Sequence, residues 1–368
     1  MKIPLIKPFI NKEIKELVRD VLESGYLTEG PMTQKFEEAF QEYIGCSSAI
    51  SVTSCTTGLE IALRCLEIGP GDEVIVPDYT YPATASVGPV VGATSVIVDI
   101  DSKTMLIDYD AIEKAITEKT KAIIPVSGFG NPLNYDRLNE IKEKHGIYII
   151  EDAACAIGAE YKQEKVGNQA DISVFSLHPR KFITTGEGGM IVTNNKKWAQ
   201  WINSFKHFGM NMDATGRETT QFEIIGTNSK MSNLLGAVGY GQMKHIDELL
   251  AKRRELVANY KKLLSGSSKI RIPETTKDGV HSHQSFTIFI ENRDEVMRSM
   301  RSDGIEVQIG TYALHMHKAF QNSELCKLKE NYPNSRFAFD HCLTLPLYNE
   351  LSFKEQEYIV EKLTRLVE

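Results

Sequence analysis

The chain has 368 residues, 42% of them hydrophobic and 25% charged, which is the balance of a folded protein long enough for one large domain and a smaller one. A net charge of −7 leaves no basic excess to neutralise phosphates, so nucleic acid is excluded as a principal partner, although a few local donors could still hold a nucleotide-linked small molecule. Six scattered cysteines (Cys46, Cys55, Cys65, Cys155, Cys326 and Cys342) include no C-x-x-C pair, which argues against a disulfide framework or a zinc ribbon. The N-terminus lacks the apolar run of a signal peptide, and no apolar stretch is long enough to span a membrane. A soluble, cytoplasmic protein is expected.

Residues 1–12 read as an extended arm, because Pro4 and Pro8 keep it out of a helix. Ile14, Leu17, Val18, Val21 and Leu22 then recur at helical spacing up to about Ser24, and Gly25 stops that helix. A second helix is predicted from about Met32 to Tyr43, with Phe36 and Phe40 on one face. A short strand, a turn of small residues and another helix follow. Cys55 and Thr56 sit at that turn, where unpaired backbone N–H groups could hold a phosphate or be plainly capped by a hydroxyl.

Val74 to Val76 form a buried strand that ends at Pro77, and the loop after it carries Tyr79 and Tyr81. Strand and helix patterns keep alternating to Tyr161, which predicts a mostly parallel sheet with covering helices. Ligands bind such sheets beyond the carboxyl ends of the strands. Glu151 and Asp152 stand at such an end, closing the apolar run from Ile147 to Ile150.

From Asp171 to Met190 the chain reads DISVFSLHPRKFITTGEGGM. A strand leads through Ser176 to Lys181, and then come hydroxyls and glycines: Thr184, Thr185, Gly186, Gly188 and Gly189. Glycine admits close backbone approach to a ligand, and hydroxyls bond a phosphate or a carbonyl-derived oxygen. A lysine in such company can lose its proton and attack a carbonyl.

Beyond this loop, residues 208–224 read as a mobile, glycine-punctuated loop near the site. The amphipathic stretch from His245 to Leu264 reads as a long helix joining a second domain. The expected division is a large α/β domain over residues 1–245 and a small α+β domain over residues 246–368. The pairs His281/His283 and His315/His317 each put two rings on one strand face, but no third ligand is evident and no metal is expected.

The lysine stretch resembles the S-F-H-P-x-K … T-x-G-E-G-G loop of the DegT/DnrJ/StrS family, the pyridoxal phosphate-dependent aminotransferases of amino sugars. Ser176-Leu177-His178-Pro179-Arg180-Lys181 and Thr185-Gly186-Glu187-Gly188-Gly189 carry that likeness. Asp78 to Thr84 resembles the family's D-x-T-[aromatic]-x-A-T, Glu151-Asp152-Ala153-Ala154 its E-D-A-A, and Gly226 to Ser232 its G-x-N-x-[RK]-M-[ST]. The resemblance runs over nearly the whole chain, with the motifs in the family's order.

It implies a fold-type I architecture: a large domain with a mixed, mostly parallel sheet of the seven-stranded type, and a small C-terminal domain. It also implies that Lys181 holds pyridoxal 5'-phosphate as an internal aldimine and that Asp152 keeps the pyridine nitrogen protonated. By the same resemblance, Tyr81 stacks on the ring, while Cys55, Thr56 and Ser176 hold the phosphate together with Asn228 of a second copy, in a homodimer with shared sites. Tyr312 and His315 are expected to border the substrate pocket. One position departs from the pattern: Cys155 stands where the family has Gln, His or Glu beside the ring oxygen, and a thiol is a weaker hydrogen-bond partner.

The implied reaction moves an amino group from an amino acid, glutamate in the family, to a ketone. The T-T-G-E-G-G form resembles members that aminate carbon 4 of nucleotide-linked 4-keto-6-deoxy sugars. A keto-cyclitol or a small phosphorylated ketone stays open. A sugar dehydratase of the same family would carry histidine in place of Lys181, and a cofactor-sensing regulator would need a DNA-binding segment that the sequence lacks.

Overall fold

The computed structural model describes residues 2–213, 215–328 and 331–368. Its centre is a sheet of eight strands. In spatial order they are Ser48–Val52, Gly189–Thr193, Ile172–Ser176, Tyr148–Asp152, Thr120–Ile123, Glu73–Pro77, Thr94–Val98 and Cys326–Lys327. Every neighbouring pair is parallel except the two made by Gly189–Thr193. Most of these strands are near-continuous runs of Val, Ile and Ala, as strands buried on both faces must be.

Apolar clusters lie on both sides of the sheet. One joins Phe36, Phe40 and Phe175; the other packs the helix Cys55–Cys65 through Leu59, Ala62 and Leu63. The opening helix runs Lys12–Ser24, capped by the Asn11 side chain and ended by Gly25 at φ 68°. The arm before it is anchored rather than loose: Ile3 bridges Ile305, and the Leu347 N–H donates to the Leu5 carbonyl.

The helix Ile246–Leu264 leads to a second apolar core around a three-stranded antiparallel sheet, ordered Phe286–Phe289, Cys342–Leu345 and Gln308–Ile309. Between these strands the chain returns to the large sheet. Tyr312–Ala313 pairs with Tyr79–Thr80, and Cys326–Lys327 adds the edge strand, while Leu314, Phe320 and Tyr332 join the large-sheet cluster. Among the described residues no helix is long and apolar enough to cross a membrane.

Candidate active site

The carboxyl ends of the parallel strands open into a cavity of about 680 Å³. Pro77, Asp152 and Ser176 are the last residues of their strands and line it, as does the start of the helix Cys55–Cys65. The N-terminal arm adds Leu5 and Ile6, and the small sheet adds Gln308 and Leu345.

Lys181 reaches this cavity from the loop between two antiparallel neighbours, Ile172–Ser176 and Gly189–Thr193. The loop is closed on itself by bonds to both backbone groups of Leu177: its N–H donates to Gly188, and its carbonyl accepts from Thr185 N–H and Thr184 Oγ1. Two buried glutamine amides hold it from outside. Gln284 donates to the Arg180 carbonyl at 2.6 Å and accepts from the Phe182 N–H at 2.7 Å, so it grips the backbone on both sides of Lys181. Gln242 does the same at Thr184, accepting from its N–H at 3.0 Å and donating to its carbonyl at 2.6 Å. Arg253, buried beneath, donates to the His283 and Gln284 carbonyls at 3.1 Å and lies over the Phe182 ring.

The Lys181 amine donates to the Cys155 sulfur at 3.1 Å. Burial works to strip its proton, but Cys155, then Cys55 and Asp152, outweigh that and hold it above the ordinary lysine range. Burial raises the Asp152 carboxyl, against donors that favour its charge: Thr84 Oγ1 at 2.7 Å and the Ala154 N–H at 3.2 Å. Burial also pushes the Cys55 thiol well up, with Asp152 nearby adding to the shift. Glu151 points to the other face, where Ser127, Tyr135 and Ser173 hydroxyls bond it. Burial raises its pKa as well, and its place is structural.

At the helix start, Ser54 caps the Thr57 N–H, and among the described residues the N–H groups of Cys55 and Thr56 bond nothing. Gly189 lies against this turn so closely that a Cβ there would stand 2.6 Å from Ser54 backbone atoms. Tyr81 is 65% exposed at the cavity mouth, 6.2 Å from the Tyr312 ring.

One expected residue lies elsewhere. His315 does not line the cavity; its Nδ1 pairs with Asp78 at 2.6 Å and its ring stacks on Tyr332. Asn228, expected to serve a second copy, lies outside this cavity and accepts from Lys230 Nζ at 2.6 Å. His281 and His283 stack on each other 4.0 Å apart, and among the described residues no three potential metal ligands cluster.

The sequence model of the DegT/DnrJ/EryC1/StrS aminotransferase family matches residues 8–364. The chain belongs to that family. It is 35% identical to an uncharacterised protein, MJ1066 of Methanocaldococcus jannaschii, over 99% of this chain and 97% of that one. Among solved structures, Spr1654 of Streptococcus pneumoniae, described as a sugar aminotransferase and solved in its PMP-form, is 32% identical with a TM-score of 0.94, over 100% of this chain and 99% of that one. PseC of Helicobacter pylori, an aminotransferase involved in the biosynthesis of pseudoaminic acid, is 26% identical with a TM-score of 0.93, over 100% of this chain and 99% of that one.

In this aminotransferase, sequence reasoning missed the two glutamine clamps and Arg253. Glutamine has no local signature, and Gln284 lies 102 residues from the Phe182 N–H it accepts. The only available signal was placement: Gln242 falls in the helix after the G-x-N motif, and Gln284 follows the first H-x-H pair.

Proposed function

We propose that this aminotransferase uses pyridoxal 5'-phosphate to move the amino group of L-glutamate onto carbon 4 of a nucleotide-linked 4-keto-6-deoxyhexose. The observation that carries the reading is the meeting of Lys181 with the buried Asp152 in one cavity that also takes in a helix start whose first N–H groups bond nothing among the described residues. Those residues fit the cofactor. A carboxylate buried against its own solvation gains by meeting a protonated ring nitrogen, and the helix start with its glycine neighbour suits a phosphate. The PLP-form and PMP-form of Spr1654 support the same choice.

Asp152 would hold the ring nitrogen, Tyr81 a ring face, and Cys55, Thr56 and Ser176 the phosphate, with Cys155 toward the ring oxygen. Bound there, the cofactor supplies an aldehyde that captures amines and a cationic ring that draws electrons from the carbon being aminated. Lys181 then acts at Nζ, taking a proton from the donor's carbon and returning one to the acceptor's. Gln284 and Gln242 keep that amine in place while it does so.

We place the domain boundary at residues 245/246, so the cavity draws on both parts. We further propose a homodimer. Phe208, Phe222 and Ile225 stand exposed on the excursion that carries Asn228, an apolar surface a second copy would cover. That Asn228 lies off its own cavity suits a residue serving the partner's. Six free cysteines suit a reducing cytoplasm.

The test is to incubate the purified protein with pyridoxal phosphate, L-glutamate and a dTDP-linked 4-keto-6-deoxyglucose, then analyse the products by mass spectrometry and NMR. A 4-amino sugar nucleotide formed in step with 2-oxoglutarate is expected. Amination at carbon 3, or no sugar product with turnover of another ketone, would overturn the acceptor.

A further inference from the structure

Among the described residues one arginine lines the cavity, Arg180, next in sequence to Lys181. Its backbone is fixed: its carbonyl is held by Gln284, and its N–H donates to His178 Nδ1 at 3.2 Å. Its side chain is nearly uncommitted. Nη1 has a long 3.4 Å bond to Gln308 Oε1, and among the described residues no carboxylate lies within ion-pair distance of it. Arg253 differs, since backbone carbonyls occupy its Nη1.

An arginine presents a rigid fork that matches a carboxylate in two parallel bonds. The amino donor must bring such a carboxylate close to Lys181, because the carbon that Lys181 deprotonates bears it. We infer that Arg180 is the residue that docks the carboxylate of the amino donor, with Gln308 steering the guanidinium. This rests on the aminotransferase reading above and adds to it the residue that recognises the donor's carboxylate.

An acceptor's phosphate offers similar oxygens, so the experiment separates the two half-reactions. Wild type, Arg180→Gln and Arg180→Lys are loaded with pyridoxal phosphate, and the lysine-bound cofactor band is followed as L-glutamate is varied. The amine-loaded forms are then mixed with a dTDP-linked 4-keto-6-deoxyglucose. In parallel, calorimetry measures binding of unreactive glutarate to each holoenzyme.

Arg180→Gln should raise the glutamate concentration for half-maximal rate by tenfold or more and weaken glutarate equally. Arg180→Lys should recover part of the loss, and the acceptor half-reaction should stay within about twofold. Equal cofactor loading and an unchanged circular dichroism spectrum establish that the variants fold. Unchanged glutamate and glutarate constants overturn the inference, and so does an effect confined to the acceptor half-reaction. A wild type that takes up no cofactor overturns the reading beneath it, and the inference with it.

Discussion

The Lys181 amine lies 3.1 Å from the Cys155 sulfur and donates to it. Of the neighbours that raise the proton affinity of this lysine, Cys155 is the strongest, acting against the burial that would lower it. A lysine attacks a carbonyl only as the free amine. Cys155→Ala should therefore shift the pH profile of cofactor capture to lower pH and speed capture several-fold at neutral pH. An unmoved profile would mean that the sulfur does not control the lysine.

Asp152 is a buried carboxylate whose placement costs stability. Its folded pKa is raised, chiefly by burial, above its ordinary value. The folded form therefore binds more protons than the unfolded one as pH rises from that ordinary value, and stability falls through this window. At neutral pH Asp152→Asn should raise the melting temperature of the cofactor-free protein, by about 1–2 °C for each kcal/mol released. The same change should weaken cofactor retention by roughly 100-fold or more, through loss of a charge-assisted bond. A lower melting temperature for the variant would contradict this account.

Gln284 grips Lys181 from both sides, and no other side chain in the described structure does. Gln284→Leu strands the Phe182 N–H and the Arg180 carbonyl, at about 1–3 kcal/mol for each group left buried and unpaired. Urea unfolding should show that loss, and cofactor capture should slow by about tenfold because the amine is no longer held in place. Capture at the wild-type rate would reduce Gln284 to a packing residue.

The stacked pair His281 and His283 gives the fold an acid-sensitive point. Burial depresses both pKa values, that of His281 well below the ordinary value and that of His283 to about 3. Their neutral forms belong to the fold, so stability is complete above the ordinary histidine pKa and is lost as pH falls below it, down toward the folded values. Each ring contributes about 1.4 kcal/mol per pH unit in that range. A His281→Gln/His283→Gln variant should show a shallower decline in unfolding free energy between pH 6.5 and 5, measured by urea titration at each pH. A decline as steep as the wild type's would place the acid sensitivity elsewhere.

Much of the site was legible in the sequence because its chemistry is local. Lys181, Ser176 and the glycines form one contiguous loop; Asp152 ends an apolar strand; and Cys55 and Thr56 start a helix just after a strand. Residues that act across the fold were hidden. Gln284 and Gln242 work through long-range bonds that no spacing encodes, and Arg253 reads as one more charge on an amphipathic helix. The edge strand Cys326–Lys327 has two residues, too few for any alternation to show. His315 lies off the cavity because the nearby buried Asp78 takes its ring, a pairing across 237 residues that no spacing shows.

The role proposed for Lys181 is to carry the amino-transfer chemistry. Its most direct test is the absorbance spectrum of the pure protein with pyridoxal phosphate, before and after L-glutamate, for wild type and Lys181→Ala. The account predicts a lysine-bound cofactor band in the wild type that glutamate converts to the pyridoxamine form. It predicts no such band in the variant and transamination slower by at least about 10²- to 10⁴-fold. A wild type without the band, or a variant that keeps it, would contradict the account.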